Sequence, residues 1–294
     1  MIETVLLQHL QEQEDLKTYL ATYAGLPAIF NQEAPPDTDE NWSSEQYGRI
    51  VFFLNMQDDP SRMISGTLTV DVICKSGEQI PEEIEPFANE AIDGYFFTSD
   101  NVTIAAQWRA SDYFTEATGK TNGVTLTFDL MAFPYRATIY PDPIELINKF
   151  SKELLPNASV IGYDTVAPVF KPDNEHPAIY WSQTAINKCS WIPDTYHCSW
   201  HTSTLQGNVF AEDQNKADSI ARLIDNTLTI RKRLIFDDES PLMIDRNIRL
   251  NFTADVLRTG QITVDATYGI LNIPEEKPIL RHAFANGKEV NRDE

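Results

Sequence analysis

The sequence predicts an α+β fold of two similar domains, each with the order α-β-β-β-α-β-β and an antiparallel or mixed sheet with helices packed on one side. Three observations predict it. Apolar residues alternate with polar ones in segments such as 68–72 and 124–130, the period of a half-buried strand. Apolar residues recur at helical spacing in segments such as 84–95 and 217–228. The same element order then returns at an offset of roughly 130–140 residues, far longer than a solenoid period, which indicates a duplicated domain. With 294 residues, 42% of them hydrophobic, the chain has enough apolar mass for two cores.

In the first half, Ile2, Val5, Leu6 and Leu10 lie at helical spacing, and Leu16, Tyr19, Leu20 and Tyr23 resume it after the polar run at 11–15. One kinked helix or two short ones follow from that break. Residues 28–30 and 49–54 read as strands. Between them, residues 32–48 carry Pro35-Pro36 and five acids, a composition suited to a surface loop rather than a core. Leu68, Val70 and Val72 alternate with Thr67, Thr69 and Asp71 as a strand buried on one face. Pro81 with Glu82 and Glu83 suits a helix first turn, and the stripe Ile84, Phe87, Ala88, Ala91, Ile92 and Tyr95 continues that helix. Two strands, 102–108 and 124–130, close the unit.

The segment 133–143 holds Pro134, Pro141 and Pro143, which disfavour regular structure and place a boundary near Tyr140. Domains of 1–140 and 141–272 follow, with a polar, Pro-containing arm at 273–294. In the second half, Asp142-Pro143-Ile144-Glu145 reads as a helix start, with an N-cap, a proline at the first helical position and an acid in the first turn. Strands are expected at 159–166, 178–187 and 195–210, a helix from Asp213 to Leu228, and strands at 248–256 and 262–268. The likeness of Gly66-Thr67-Leu68-Thr69-Val70-Asp71 to Gly260-Gln261-Ile262-Thr263-Val264-Asp265 falls at non-equivalent places and reads as chance.

Acidic residues outnumber basic ones 44 to 23, a formal net charge of −21, which excludes an outward electrostatic grip on DNA or an anionic membrane. Residues 1–141 hold 22 acids and 7 bases, net −15, against 22 and 16, net −6, for 142–294, so the first half carries most of the field. No apolar run nears a membrane span and Met1-Ile2-Glu3-Thr4 does not begin a secretion signal, so a cytosolic chain is expected. Three cysteines do not make a disulfide framework.

Chemistry-bearing constellations are sparse. Cys189, His197, Cys198 and His201 have the right donor types for zinc, but on a strand His197 and His201 stand about 13 Å apart while Cys198 faces away. No nucleophile elbow or phosphate-cradling glycine loop is present, and neither catalysis nor a cofactor is expected. The acidic groups Asp37-Thr38-Asp39-Glu40, Asp58-Asp59 and Asp237-Asp238-Glu239 read as solvated turns. Arg231-Lys232-Arg233 suits a helix C-terminus or an acidic neighbour. Trp181, Trp191 and Trp200 suit a sheet core or an interface.

The opening helix, the acidic proline-containing loop before Arg49-Ile50-Val51-Phe52-Phe53, the strand from Gly66 to Ile73, the helix from Ile84 and the two closing strands resemble the tail terminator, or tail completion, proteins of tailed bacteriophages. The second half, with Asp142-Pro143-Ile144-Glu145-Leu146-Ile147 and Pro177-Ala178-Ile179-Tyr180-Trp181, is similar to the neck members of that group. The resemblance spans about residues 1–272 as pattern, not as a motif, and departs from the usual single unit. It implies a virion protein, assembled in the bacterial host cytoplasm, that forms a ring on the tail tube and joins it to a head-completion or connector protein. Six chains are expected, with three as the alternative, and DNA passes through without specific binding. An acidic lumen repels phosphate, and Glu82, Glu83, Glu85, Glu90 and Asp93 are candidates for its wall. Asp37, Asp39, Trp42, Asp58 and Asp59 are candidates for loops that touch neighbouring proteins. An acidic protein that mimics DNA to block a basic enzyme would suit the same charge.

Overall fold

The computed structural model describes residues 1–43, 46–57, 64–100, 102–117, 119–136, 139–245 and 248–271, and the backbone of 284–285 and 288–289. The polar run near Gln13 splits the opening helix into α1 (Ile2–Glu12) and α2 (Glu14–Lys17). A short ladder of β1 (Thr22–Tyr23) with β2 (Leu26–Pro27) leads into β3 (Ile29–Asn31), β4 (Arg49–Met56) and β5 (Gly66–Lys75). Then come α3 (Pro81–Glu90), β6 (Phe96–Ser99), β7 (Val102–Thr115) and β8 (Thr121–Pro134).

The second half opens with α4 (Pro143–Leu154), where Asp142 Oδ1 accepts from the Ile144 amide at 2.8 Å and Pro143 occupies the first turn, as the sequence predicts. After it come β9 (Ser159–Ile161), β10 (Val169–Phe170), β11 (Ala178–Lys188) and β12 (Cys198–Phe210). Helix α5 (Gln214–Arg231) starts at Asp213, whose Oδ1 accepts from the Asn215 amide, and stops where Lys232 turns to φ 60°. The strands β13 (Arg233–Ile235), β14 (Pro241–Ile244), β15 (Arg249–Leu250) and β16 (Ile262–Leu271) complete the unit, and β17 (Phe284–Ala285) pairs with β18 (Lys288–Glu289) in the arm.

Two curled sheets result, in a mixed α/β arrangement. The first runs β6-β7-β8-β5-β4-β3 and the second β13-β14-β16-β12-β11-β9, with β15 also on β16. In each, the edge strand pairs parallel with its neighbour, β3 with β4 and β9 with β11, and the other neighbours are antiparallel. Strand β10 belongs by sequence to the second half but pairs with β6, extending the first sheet.

Several elements differ from expectation. Where two strands were expected after the mid-unit helix, three follow α3 (β6, β7 and β8) and four follow α5 (β13, β14, β15 and β16), because β6, β13 and β14 are short additions. Helix α3 ends at Glu90 rather than near Tyr95; Gly94, at φ 76°, turns the chain into β6. The strand expected at 159–166 stops at Ile161, where Gly162 takes φ 86° and Asp164 Oδ2 receives the Val160 amide and Lys152 Nζ. The strand expected at 248–256 shrinks to β15. Asn251 Oδ1 accepts from the Thr253 amide and Asp255 Oδ1 from the Leu257 amide, local bonds that outcompete a ladder.

Helices cover one face of each sheet. Leu6 and Leu10 of α1 and Ile84, Ala88 and Ile92 of the α3 region bury against Phe52, Leu68, Val70, Leu126 and Phe128. In the second unit, Ile147 and Phe150 of α4 and Ala221, Ile224 and Leu228 of α5 do the same against Ile179, Leu205, Val264 and Ala266. The opposite faces meet each other. Phe96, Ala105, Met131 and Phe133 of the first sheet form one buried cluster with Ile161, Ala178, Tyr180 and Phe210 of the second. Alternation makes this possible, since Phe97 and Ile104 face the helices while their neighbours Phe96 and Ala105 face the other unit. The Phe96 ring lies 5.1 Å from both Phe170 and Phe210, and Phe133 lies 5.1 Å from Tyr180. Such pairs contribute about 0.5–1.5 kcal/mol each beyond burial.

Candidate functional site

The acids proposed for a lumen wall occupy two environments. Glu82, Glu83 and Glu90 are exposed on the side of α3 away from the sheet, because Ile84, Ala88 and Pro81 take the inner face. Glu85 accepts from the Tyr113 hydroxyl on β7, and this bond, with burial and Glu82 adding to it, pushes the Tyr113 phenol up to about 12. Asp93 lies beyond the helix, in the turn, where its Oδ1 accepts from the Trp108 amide at 2.8 Å. There it satisfies backbone next to the register shift between Trp108 and Ala110 in β7. Three of the five therefore form one outward acidic surface, and two are tied to β7.

The proposed partner-contact residues are similarly divided. Asp37 accepts from Tyr47 Oη at 2.7 Å and from Arg49 Nη1 at 2.7 Å. Partial burial works against its ionisation, but these bonds outweigh it and hold the carboxyl below its ordinary value. Asp39 Oδ1 accepts from the amide and side chain of Asn41, a tight Asx turn. Trp42 is buried, not projecting. Its ring meets Tyr23 and Phe30 edge-on at 5.0 and 5.7 Å, its indole donates to the Pro36 carbonyl, and the Arg49 guanidinium stands 6.0 Å from its centroid. The acidic loop is thus pinned across the β3 edge by one tryptophan. Asp58 and Asp59 lie outside the described residues.

The zinc candidates are spread along the end of the second sheet. Cys198 and His201 belong to β12, paired with Leu271 and Tyr268 of β16, while His197 sits in the bend before β12 and Cys189 in the bend after β11. The strand begins three residues later than expected because Thr195 Oγ1 accepts from the Cys198 amide. Among the described residues no three His, Cys, Asp or Glu side chains stand together as a metal ligand set. Burial, with Glu82 nearby, pushes the Cys74 thiol up to about 11, which keeps it protonated at neutral pH.

Of the remaining motifs, Arg231 lies over the Phe150 ring at 5.3 Å and 4.0 Å from Glu153, the acidic-neighbour role expected for a helix C-terminus. Trp181 is buried and donates to Ser151 Oγ at 2.9 Å, whereas Trp191 is exposed. Asp237 to Glu239 form the tip of the β13–β14 hairpin, exposed as a solvated turn.

Pattern reasoning did not find the polar join between the units. Asp129 on β8 is only 5% exposed and takes two arginines, Arg109 Nη1 on one oxygen and Arg258 Nη2 on the other, each at 3.0 Å. Arg258 comes from the second unit, where Asp255 also binds it. Next to it, a cleft of about 410 Å³ runs between the units past Phe133, Tyr180, Asn208 and Arg258. The only trace in the sequence was an acid within the alternating strand 124–130, with no spacing to name its partner 129 residues away.

Among the described residues no helix is long and apolar enough to cross a membrane. No protein-family model matches the chain, and no curated protein matches it either.

Proposed function

We propose that the chain is a structural subunit of a tailed bacteriophage, or of a particle derived from one, which caps the tail tube and joins it to the head as a ring around the DNA channel. The two units are read as copies of one tail-terminator-like domain. The observation that carries this proposal is the recurrence of one sheet order in both halves, each with a helix before the sheet and another midway, in a chain whose sequence resembles that family. Charge supports it, since the unit of net −15 bears the outward face of Glu82, Glu83 and Glu90, and a like-charged wall discourages phosphate adsorption.

Six chains with the N-terminal unit inward give a uniformly acidic wall, whereas three chains alternating their units would mix a strong and a weak field. The shared cluster around Phe96 and Phe133 makes each subunit one piece, so the C-terminal unit travels as a fixed outer lobe. The role is structural, without catalysis or a cofactor. The test is to mix the purified protein with tail tubes that lack their terminator and to image the mixture by negative stain. Capped tube ends are expected. Bare ends, with the protein remaining a monomer that instead inhibits a basic DNA-binding enzyme, would support the DNA-mimic alternative.

A further inference from the structure

Two strands, one in each unit, run past their neighbour on one side. Strand β11 pairs with β9 only at Ala178, Ile179 and Tyr180, yet it continues beside β12 to Lys188. Strand β7 pairs with β6 only from Val102 to Ala105, Asp93 takes the Trp108 amide, and the strand then continues beside β8 to Thr115. Among the described residues no strand lies along the outer side of 185–188 or of 110–115. The ladders fix which backbone groups face outward. The Cys189 amide donates to the Trp200 carbonyl, so by alternation Ile186 and Lys188 turn their amides and carbonyls away from β12. The Glu116 amide donates to the Thr121 carbonyl across the β7–β8 hairpin, so Ser111, Tyr113 and Thr115 turn theirs away from β8. Each edge shows one large apolar side chain at such an outward position, Ile186 at 54% exposure and Tyr113 at 52%. Both lie on the face that helices cover further along, since Ile186 pairs with Ser203 and Tyr113 with Val124, which alternate with buried Leu205 and Leu126.

We propose that the β11 edge of one copy pairs antiparallel with the β7 edge of a second copy, joining the second sheet of one chain to the first sheet of the next. Unpaired edge backbone is a template for another strand, and charge selects which one. Strand β11 contains no acid and ends on Lys188, whereas 110–116 holds Asp112 and Glu116 and no base. With Ile186 opposite Tyr113, a β-branched side chain meets an aromatic one across the strands. Lys188 then falls opposite Ser111, on the face where Glu85 holds the Tyr113 hydroxyl. Arg136, which donates to the Gln183 carbonyl where the open edge begins, falls toward Glu116. Pairing β11 with itself would bring Lys188 toward the other copy's Arg136, and pairing β7 with itself would bring four acids together; like charges so placed are unfavourable. The contact is heterologous, because each copy offers one edge from each unit, and such contacts close into a ring or grow as a filament. It supplies the ring of the proposed function with its subunit contact and rests on that reading for closure.

The test puts the photo-crosslinker p-benzoylphenylalanine in place of Ile186 in the full chain, mixes it with isotope-labelled chain, and maps the products between copies by mass spectrometry, with free protein at millimolar concentration and again on tail tubes. Cross-links to residues 110–115 of the labelled copy are expected. Ser111→Pro in the labelled copy removes an outward amide without breaking a bond to β8, so it is expected to lower that yield at least about fivefold with circular dichroism unchanged. Tyr113→Lys, at an exposed position, takes away the aromatic partner and sets a cation near Lys188; it is expected to lower the yield at least about threefold and keeps the test valid should Ser111→Pro fail to fold. Cross-links to the β11 edge of the other copy, cross-links elsewhere, or none between copies would overturn the pairing. Capped tubes whose cross-links map elsewhere would overturn the pairing and leave the ring reading standing, whereas cross-links to 110–115 in a chain that leaves tube ends bare would uphold the pairing and remove the ring reading.

Discussion

Asp37 is held below the ordinary carboxylate value although partial burial works against it, because Tyr47 and Arg49 both donate to it. Its contribution to stability is therefore fully present above the unfolded value near 3.8 and is lost as pH falls through the lower folded one. The carboxylate side chain is 46% exposed, so solvent screening keeps the effect under about 1 kcal/mol. Urea midpoints measured from neutral to strongly acidic pH should show Asp37→Asn losing part of the native acid sensitivity below pH 4. His9 works at higher pH. Burial lowers its pKa from 6.5 despite its bond to the Ala91 carbonyl, so the unfolded chain takes up the proton first and stability declines as pH drops below about 6.5. His9→Gln should flatten that decline in the same titration. Trp42 shows what the sequence hides at this scale. A tryptophan inside a polar, proline-containing run gives no periodicity, and it is contacts with Tyr23, Phe30 and the Pro36 carbonyl that turn it inward.

At the scale of elements, legibility followed length. Segments of ten or more residues, such as β5, α4 and α5, declared themselves through alternation or stripe because one face of each lies on a core. Strands of three or four residues were read unevenly: β3 and β9 fell on expected strands, whereas β6, β13 and β14 did not, since they are held by neighbours rather than by their own pattern. Side-chain bonds such as Asn251 to the Thr253 amide ended strands that composition alone would have continued. The join at Tyr140 illustrates both sides. Ile139 and Tyr140 are exposed and accessible to protease, yet the units on either side share a buried cluster. Limited proteolysis there should give two fragments that co-elute on a sizing column; fragments that separate without denaturant would contradict the shared core. Asp129→Ala should cost about 1–3 kcal/mol by leaving Arg258 poorly paired at the join, read as a lower denaturation midpoint with unchanged secondary structure by circular dichroism.

At the scale of the whole molecule, sequence patterning made the repeated helix and strand order visible, but not that the two sheets pack through their uncovered faces or that β10 crosses to the first sheet. Both features depend on contacts between residues far apart in the chain, which local periodicity does not encode. The acidic candidates show the same limit. Sequence named five acids on or near one helix, and the fold leaves Glu82, Glu83 and Glu90 outward while Glu85 and Asp93 bind β7. Whether those three glutamates line a channel is the centre of the proposed function, and free protein need not reveal it, since rings built on a template often bury too little area to persist alone. The most direct measurement is image averaging of tail tubes capped by the protein. The account predicts a closed ring of six chains with sixfold symmetry, the N-terminal unit inward and the outer face of α3 toward the channel. A tube-bound complex without threefold or sixfold symmetry, or a ring whose channel is lined by the C-terminal unit alone, would contradict it.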